Sequence, residues 1–222
     1  MRFEKFGLKH LKPLVKGMGL TLQICLITLV LGTLVGLIVG ILMTSENKVL
    51  RKICQVYVNV IRGIPLLVIL FMTFYGIPLL SGADVTQSIA SIASLTVYSG
   101  AYIAEIVRGS IESIPKGQHE AANALGMTPI QKMMIVILPQ AFRLMIPSLV
   151  GFFIALVKDS SLVSAIGYID LTRSGKIVGN LTMNPLLAFS CVAVFYFIIC
   201  FSLSKLAAYS EKRLQNKRGD QK

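Results

Sequence analysis

Residues 17–45 read GMGLTLQICLITLVLGTLVGLIVGILMTS, without one charged side chain. The run is far longer than the roughly 7–15-residue apolar core of a signal peptide. About 20 apolar residues cross the hydrocarbon layer, so residues 19–43 are expected to span a membrane, with length to spare for tilt. Gly32, Gly36 and Gly40 stand four apart within it. That spacing lays a smooth groove along one helix face, into which a second helix can pack closely. Packing inside a bundle is the reading preferred over a dedicated dimer motif.

Four further stretches extend the pattern. Residues 53–80 are interrupted only by Arg62, and 86–107 end near Glu105. Residues 133–157 carry Pro139, Arg143 and Pro147, and 185–207 belong to the charge-free run Ile177–Ser204. The third stretch is unusually small and polar (Ser88, Ser91, Ser94, Ser99, Gly100), which suits a helix packed around a polar path rather than one facing lipid. The expected fold is all-α: a polytopic membrane helix bundle of about five transmembrane helices.

Composition agrees. The chain has 222 residues, 55% hydrophobic and only 14% charged, with a mean hydropathy of +0.74. A soluble domain carries about a quarter charged residues. The net charge of +12 follows from basic clusters at segment ends, the pattern of loops retained in the cytoplasm. No basic stripe interleaves with aromatics, so nucleic acid is not an expected partner. Cys25, Cys54, Cys191 and Cys200 lie in or beside apolar stretches, without metal-ligand spacing. No metal or cofactor is expected on this chain.

The ends pull in opposite directions. The basic tail over 209–222 (Lys212, Arg213, Lys217, Arg218, Lys222) argues for a cytoplasmic C-terminus. Five spans then place the N-terminus outside, although it too is lysine-rich. Phe3, Phe6, His10, Leu11, Leu14 and Met18 recur every three or four residues. The N-terminal segment, 1–18, is therefore expected to hold an amphipathic helix over 3–16 on the membrane surface, kinked at Pro13.

Between the third and fourth spans lies a connection of about 25 residues that is neither spanning nor structureless. Pro115 breaks the helix before it, and Gln118–Leu125 (QHEAANAL) is built of helix formers. Gly126 offers a left-handed stop. Thr128-Pro129 reads as an N-cap followed by proline in the first helical position. A short helix bounded by two breaks is predicted, slim because of Ala121, Ala122 and Ala124, with Glu120 near its N-terminus. A solvated connector would look similar; a carboxylate and apolar residues on a slim helix also suit insertion into a partner's cleft.

These residues carry a resemblance. Glu120-Ala121-Ala122, Gly126 and Ile137-Leu138-Pro139 resemble the EAA–G–I-LP signature of ABC importer membrane subunits, and the wider chain resembles their polar amino-acid branch. Arg62-Gly63-Ile64-Pro65-Leu66-Leu67 is similar to its RGTPLL segment, with isoleucine for threonine. Ala101 to Glu105 with Arg108-Gly109 is similar to AYIAEI–RG, and Lys158-Asp159-Ser160-Ser161-Leu162 to its KD-T/S-SL segment. The similarity covers about residues 10–208.

The resemblance implies a type I importer permease over 19–208. It implies partners: ABC ATPase subunits that hold ATP and Mg, a second permease subunit (identical or paralogous), and an extracytoplasmic amino-acid-binding protein. The segment at about 116–127 becomes the cytoplasmic coupling helix that docks on the ATPase. Glu120, Ala121, Ala122 and Gly126 lie at the docking surface, and Leu138 and Pro139 shape the helix that follows. The location implied is a bacterial cytoplasmic membrane. Independently, the chain lacks any GxxxxGK[ST] phosphate loop, so ATP hydrolysis is expected on a separate chain and this one is not expected to be an enzyme. The rival reading is a small ion-coupled secondary amino-acid transporter.

Ionisable residues at membrane depth pair or line a path. Arg62 and Glu105 both fall in the inner half and form a candidate structural pair; independent snorkelling of Arg62 is the alternative. Lys158 and Asp159 offer both charges that a zwitterionic amino acid needs, with Ser160 and Ser161 as hydroxyl donors. Tyr98 and Tyr102, one helical turn apart, form a candidate wall. The alternative for Lys158-Asp159 is a helix end at the outer interface. Tyr168–Lys176, between Gly167 and Gly175, is a candidate gate or binding-protein contact.

Overall fold

The computed structural model describes residues 6–219, with the backbone alone for 206–207 and 209–219. Its helices are α1 (Leu11–Met43, preceded by a 3-10 turn at Leu8–His10), α2 (Lys48–Gly63) and α3 (Leu66–Ser81). They continue with α4 (Gln87–Glu112), α5 (Lys116–Ala124), α6 (Pro129–Ile166), α7 (Leu171–Thr182) and α8 (Pro185–Gly219). Among the described residues there is no strand. Four stretches are long and apolar enough to cross a membrane, and the α2–α3 pair makes a fifth if the two count as one span.

The expected surface helix over 3–16 is not a separate element. From Leu11 the chain is already α1, and Pro13 sits in the first turn, where its missing N–H costs no bond and produces no kink. The apolar stripe read as facing lipid faces protein instead. Leu14 is fully buried against Leu171, Val178, Ala188 and Val192, with Phe6, Leu11 and Met18 packed around them. The boundary expected at residue 18 therefore falls inside a helix. Residues 1–5 and 220–222 lie outside the described residues.

The second stretch is not one straight span either. Proline forces the residue before it out of the helical region, and Ile64 accordingly stands extended at φ −107°, ψ 132° ahead of Pro65. The two helices meet at 102°. Two other prolines are absorbed differently. Pro78 follows a wider π turn at Met72–Gly76, and Pro139 follows another at Lys132–Ile137. In each case the carbonyl four residues back, which the proline ring would strike, lies inside the widened turn.

Helices α1 and α4 form the spine. A Cβ on Gly36 would lie 2.5 Å from Ile103 Cγ2, and one on Gly40 2.5 Å from Val107 Cβ and 2.7 Å from the Ala104 carbonyl oxygen; Gly32 is closed off by Ser99. The glycine ladder is thus a packing groove within the chain. Its partners rise in number with the glycines, so α1 and α4 run parallel. Leu14 meets Ala188 and Val192, while Ile24 and Cys25 meet Ile199, so α8 runs the same way. Helix α6 returns antiparallel to α4: Ile137, Ala141 and Met145 pack on Ile111, Val107 and Ile103. Helix α5 and the far end of α8 therefore share one end of the bundle, and the start of α1 lies at the other.

Candidate translocation path and coupling segment

Helix α5 sits at the tip between two spans, held by local rules. Gly126 takes φ +70°. Its N–H bonds Asn123 O at 2.9 Å, and the Met127 N–H bonds Ala122 O at 3.1 Å. That pair of bonds closes the helix end in the Schellman arrangement. Thr128 then caps α6 in a reciprocal box: Thr128 N–H donates to Gln131 Oε1 at 2.9 Å, and Gln131 N–H to Thr128 Oγ1 at 3.3 Å. Two side-chain bonds pin α5 to α6, Lys132 Nζ to Asn123 Oδ1 at 3.1 Å and Gln140 Nε2 to Gln118 Oε1 at 3.0 Å.

Of the residues singled out there, Ala122 is buried, whereas Glu120, Ala121, Gly126 and Pro139 are exposed and Leu138 is half-buried. The helix begins at Lys116 rather than Gln118, so Glu120 is its fifth residue, beyond the first turn where the dipole acts most strongly. Around it Leu125 and Ile130 are each 76% exposed.

A second constellation runs along one face of α4. Tyr98, Tyr102, Glu105 and Glu112 follow at helical spacing. The Tyr98 and Tyr102 rings lie 4.7 Å apart, and Tyr102 stacks on Phe152 of α6 at 5.6 Å. Asp159 lies near the Tyr98 hydroxyl. Tyr98 is the twelfth residue of Gln87–Glu112. Lys158-Asp159 thus lies beside the middle of α4, well short of the outer end suggested by the helix-end alternative. Lys158 is exposed, and Asp159 and Ser161 are half-buried. Ser160 does not join them: it is fully buried and its hydroxyl donates to Val157 O at 2.8 Å.

Arg62, at the end of α2, places its guanidinium carbon 5.4 Å from the Tyr102 ring centre and Nη1 3.6 Å from Glu105 Oε2. Glu105 has a closer partner that the sequence reading passed over. Arg108 donates to it through both Nε, at 3.2 Å, and Nη2, and also bonds Glu112. The i, i+3 and i, i+4 offsets of Glu105, Arg108 and Glu112 were the available signal.

Most of the segment Tyr168–Lys176 belongs to α7. Asp170, fully buried, caps that helix, accepting from Arg173 N–H at 2.7 Å and Thr172 N–H at 3.1 Å. Tyr196 of α8 donates to Asp170 Oδ2 at 3.4 Å and lies 3.1 Å from Thr172 Oγ1. Leu171 N–H reaches Thr21 Oγ1 of α1 at 3.0 Å. Burial pushes the Asp170 carboxyl above its ordinary pKa, opposed by those N–H bonds. An Asp ahead of the periodic set Leu171, Ser174, Val178 and Thr182 is an N-cap signal.

Residues 17–216 match the family described as the binding-protein-dependent transport system inner membrane component. The chain belongs to that family. As such an inner membrane component it has permease relatives of nearly its own length. It is 39% identical over 199 residues to the L-cystine transport system permease protein TcyB of Bacillus subtilis (strain 168), covering 89% of this chain and 85% of that protein. It is 34% identical over 213 residues to the probable amino-acid ABC transporter permease protein YckA of the same organism, covering 96% and 92%. Its fold matches the crystal structure of an amino acid ABC transporter with histidines, with a TM-score of 0.87 and 35% identity, over 92% of this chain and 95% of that one. It also matches the inward-facing methionine ABC transporter MetNI, with a TM-score of 0.82 and 25% identity, over 94% and 99%. Family membership sets aside the ion-coupled secondary transporter.

Proposed function

We propose that this chain is the membrane-spanning permease subunit of an ATP-driven importer of a polar amino acid, coupled to separate ATPase chains through α5. The observation that carries the reading is α5 itself: a short helix fixed at both ends, standing between two spans and presenting Glu120, Ala121 and the apolar Leu125 to whatever lies beneath. ATP and Mg belong to the ATPase chains. Closure of those chains around ATP pushes on α5 and tips the bundle toward an outward-open packing; hydrolysis returns it to the inward-open one.

In this reading an extracytoplasmic binding protein delivers the amino acid to the end where α1 begins. The α4 face forms the path, with Lys158 facing the substrate carboxylate, Asp159 its ammonium group, Ser161 at the same turn, and Tyr98 and Tyr102 as an aromatic wall. The Arg62 and Glu105 side chains are 38% and 28% exposed. Charges at membrane depth are costly against lipid, which supports covering this face with a second permease subunit, identical or paralogous.

The test is uptake in cells carrying the complete transporter. Glu120→Lys and Gly126→Pro, at exposed positions outside the spans, are expected to abolish uptake while the chain still inserts at its normal level. Uptake within about twofold of wild type by both variants overturns the coupling role. Asp159→Asn is expected to abolish uptake without altering ATPase association.

A further inference from the structure

An open cavity of about 950 Å³ lies at the α5 end of the bundle, where α1 stops, α2 starts and α4 runs out. It falls within the size range of small-molecule sites, roughly 300–1,000 Å³. Its walls divide by chemistry. Ile41 and Leu42 of α1, Ile111 and Ile114 beside the end of α4, and Ile130 and Met134 of α6 supply an apolar surface continuous with the spans. Arg51, Lys116 and Lys132 supply three cations on three different helices. Among the described residues none of the three has a carboxylate within ion-pair distance; Lys132 bonds only the neutral Asn123 amide. Of the two acidic residues on the wall, Glu112 is engaged by Arg108, which leaves Glu46.

An apolar surface beside span ends, with unpaired cations in the same wall, fits one ligand chemistry: a phosphate-bearing headgroup with acyl chains attached. Basic pockets between spanning helices at the membrane surface take such headgroups. We propose that this cavity binds an anionic phospholipid, its phosphate among Arg51, Lys116 and Lys132 and its upper chain segments against Ile41, Ile114 and Met134. Because α5 contributes Lys116 and α6 contributes Lys132, the bound lipid bridges the ends of α1 and α2 to the base of α5. The inference goes beyond the importer reading and needs only that the spans lie in a bilayer.

The test is lipid titration of the delipidated full-length chain in detergent, followed by native mass spectrometry. The probes are phosphatidylglycerol, phosphatidylcholine of the same chains, and inorganic phosphate. One phosphatidylglycerol is expected to bind saturably and ahead of phosphatidylcholine. Arg51→Gln/Lys116→Gln/Lys132→Gln is expected to weaken it by about a hundredfold, given the usual increment per basic residue. Lys48→Gln/Lys52→Gln/Lys205→Gln removes the same charge from exposed positions off the cavity wall and is expected to leave binding unchanged. Equal binding of the two lipids, or equal loss in both variants, overturns the site. Inorganic phosphate that displaces the lipid at equal concentration makes it a free-anion site and overturns the lipid assignment. Displacement of the lipid by the native ATPase chains shows a protein-docking surface and overturns it as well.

Discussion

At the scale of single residues, the charges of the bundle are shared rather than paired one to one. Glu105 serves both Arg62, at 3.6 Å, and Arg108. Removing Arg62 leaves the carboxylate its nearer partner, whereas removing Glu105 deprives Arg62 of its counter-charge. Glu105→Gln is therefore expected to lower the thermal unfolding temperature of the purified chain by several degrees more than Arg62→Gln; the reverse order contradicts the arrangement. The sequence pointed to Arg62 and Glu105 through their place in apolar runs; the helical offsets of Arg108 from Glu105 and Glu112 were there to read, but they do not say that the local bond is nearer than the one across helices. Asp170 makes a second case. Its carboxyl is buried, with Oδ1 accepting from Arg173 N–H and Oδ2 from Thr172 N–H, so the single amide oxygen of Asp170→Asn keeps only one of these two bonds. Asp170→Ala loses the cap, worth roughly 0.5–2 kcal/mol, and removes one partner of the Tyr196 hydroxyl, which keeps Thr172 Oγ1. Thermal unfolding is expected to rank wild type above Asn, and Asn above Ala.

At the scale of elements, close packing and chain breaks decide the architecture. A side chain at Gly40 meets the Ala104 carbonyl oxygen at 2.7 Å, and backbone cannot give way as a side-chain tip can. Overpacking of this kind costs about 1–3 kcal/mol. Gly40→Val is expected to reduce the yield of folded chain in a detergent thermal-stability screen, and Gly19→Ala, which meets nothing within 4 Å, is not. The glycine ladder, the stop at Gly126 and the cap at Thr128 were all legible, because each depends on one residue type in a local conformation. The bend at Ile64-Pro65 went unread, because the apolar run on both sides reads as one span. Whether a proline bends a helix or is absorbed by a π turn, as before Pro78 and Pro139, depends on what packs against it. Helix α7 escaped notice because Ser174, Gly175, Gly179 and Thr182 make up most of its buried face, with only Leu171 and Val178 apolar and large, a surface whose apolar signal is weak and whose partners are far along the chain.

At the scale of the whole molecule, the parallel course of α1, α4 and α8 sets the two lysine-rich ends on opposite sides of the bundle. The start of α1 and the end of α8 lie at opposite ends of the bundle, with α5 on the side of the latter. In a cysteine-free background, Glu46→Cys and Ser113→Cys are expected to react with an impermeant maleimide only in inverted vesicles, and Ser81→Cys only in intact cells. The number of spans and the class of fold were written in the length and spacing of apolar runs. The fold of 11–18 into the first span was not, because a stripe facing protein and a stripe facing lipid have the same period. The central claim, that α5 is where a separate ATPase takes hold, is tested most directly by cross-linking at its exposed tip. With Leu125→Cys in native membranes, a short bifunctional maleimide is expected to join this chain to an ATPase chain carrying a phosphate loop. The cross-link is expected to disappear when Glu120→Lys is added. A Leu125 cross-link only to another copy of this chain, or none while the complex remains intact, would contradict the account.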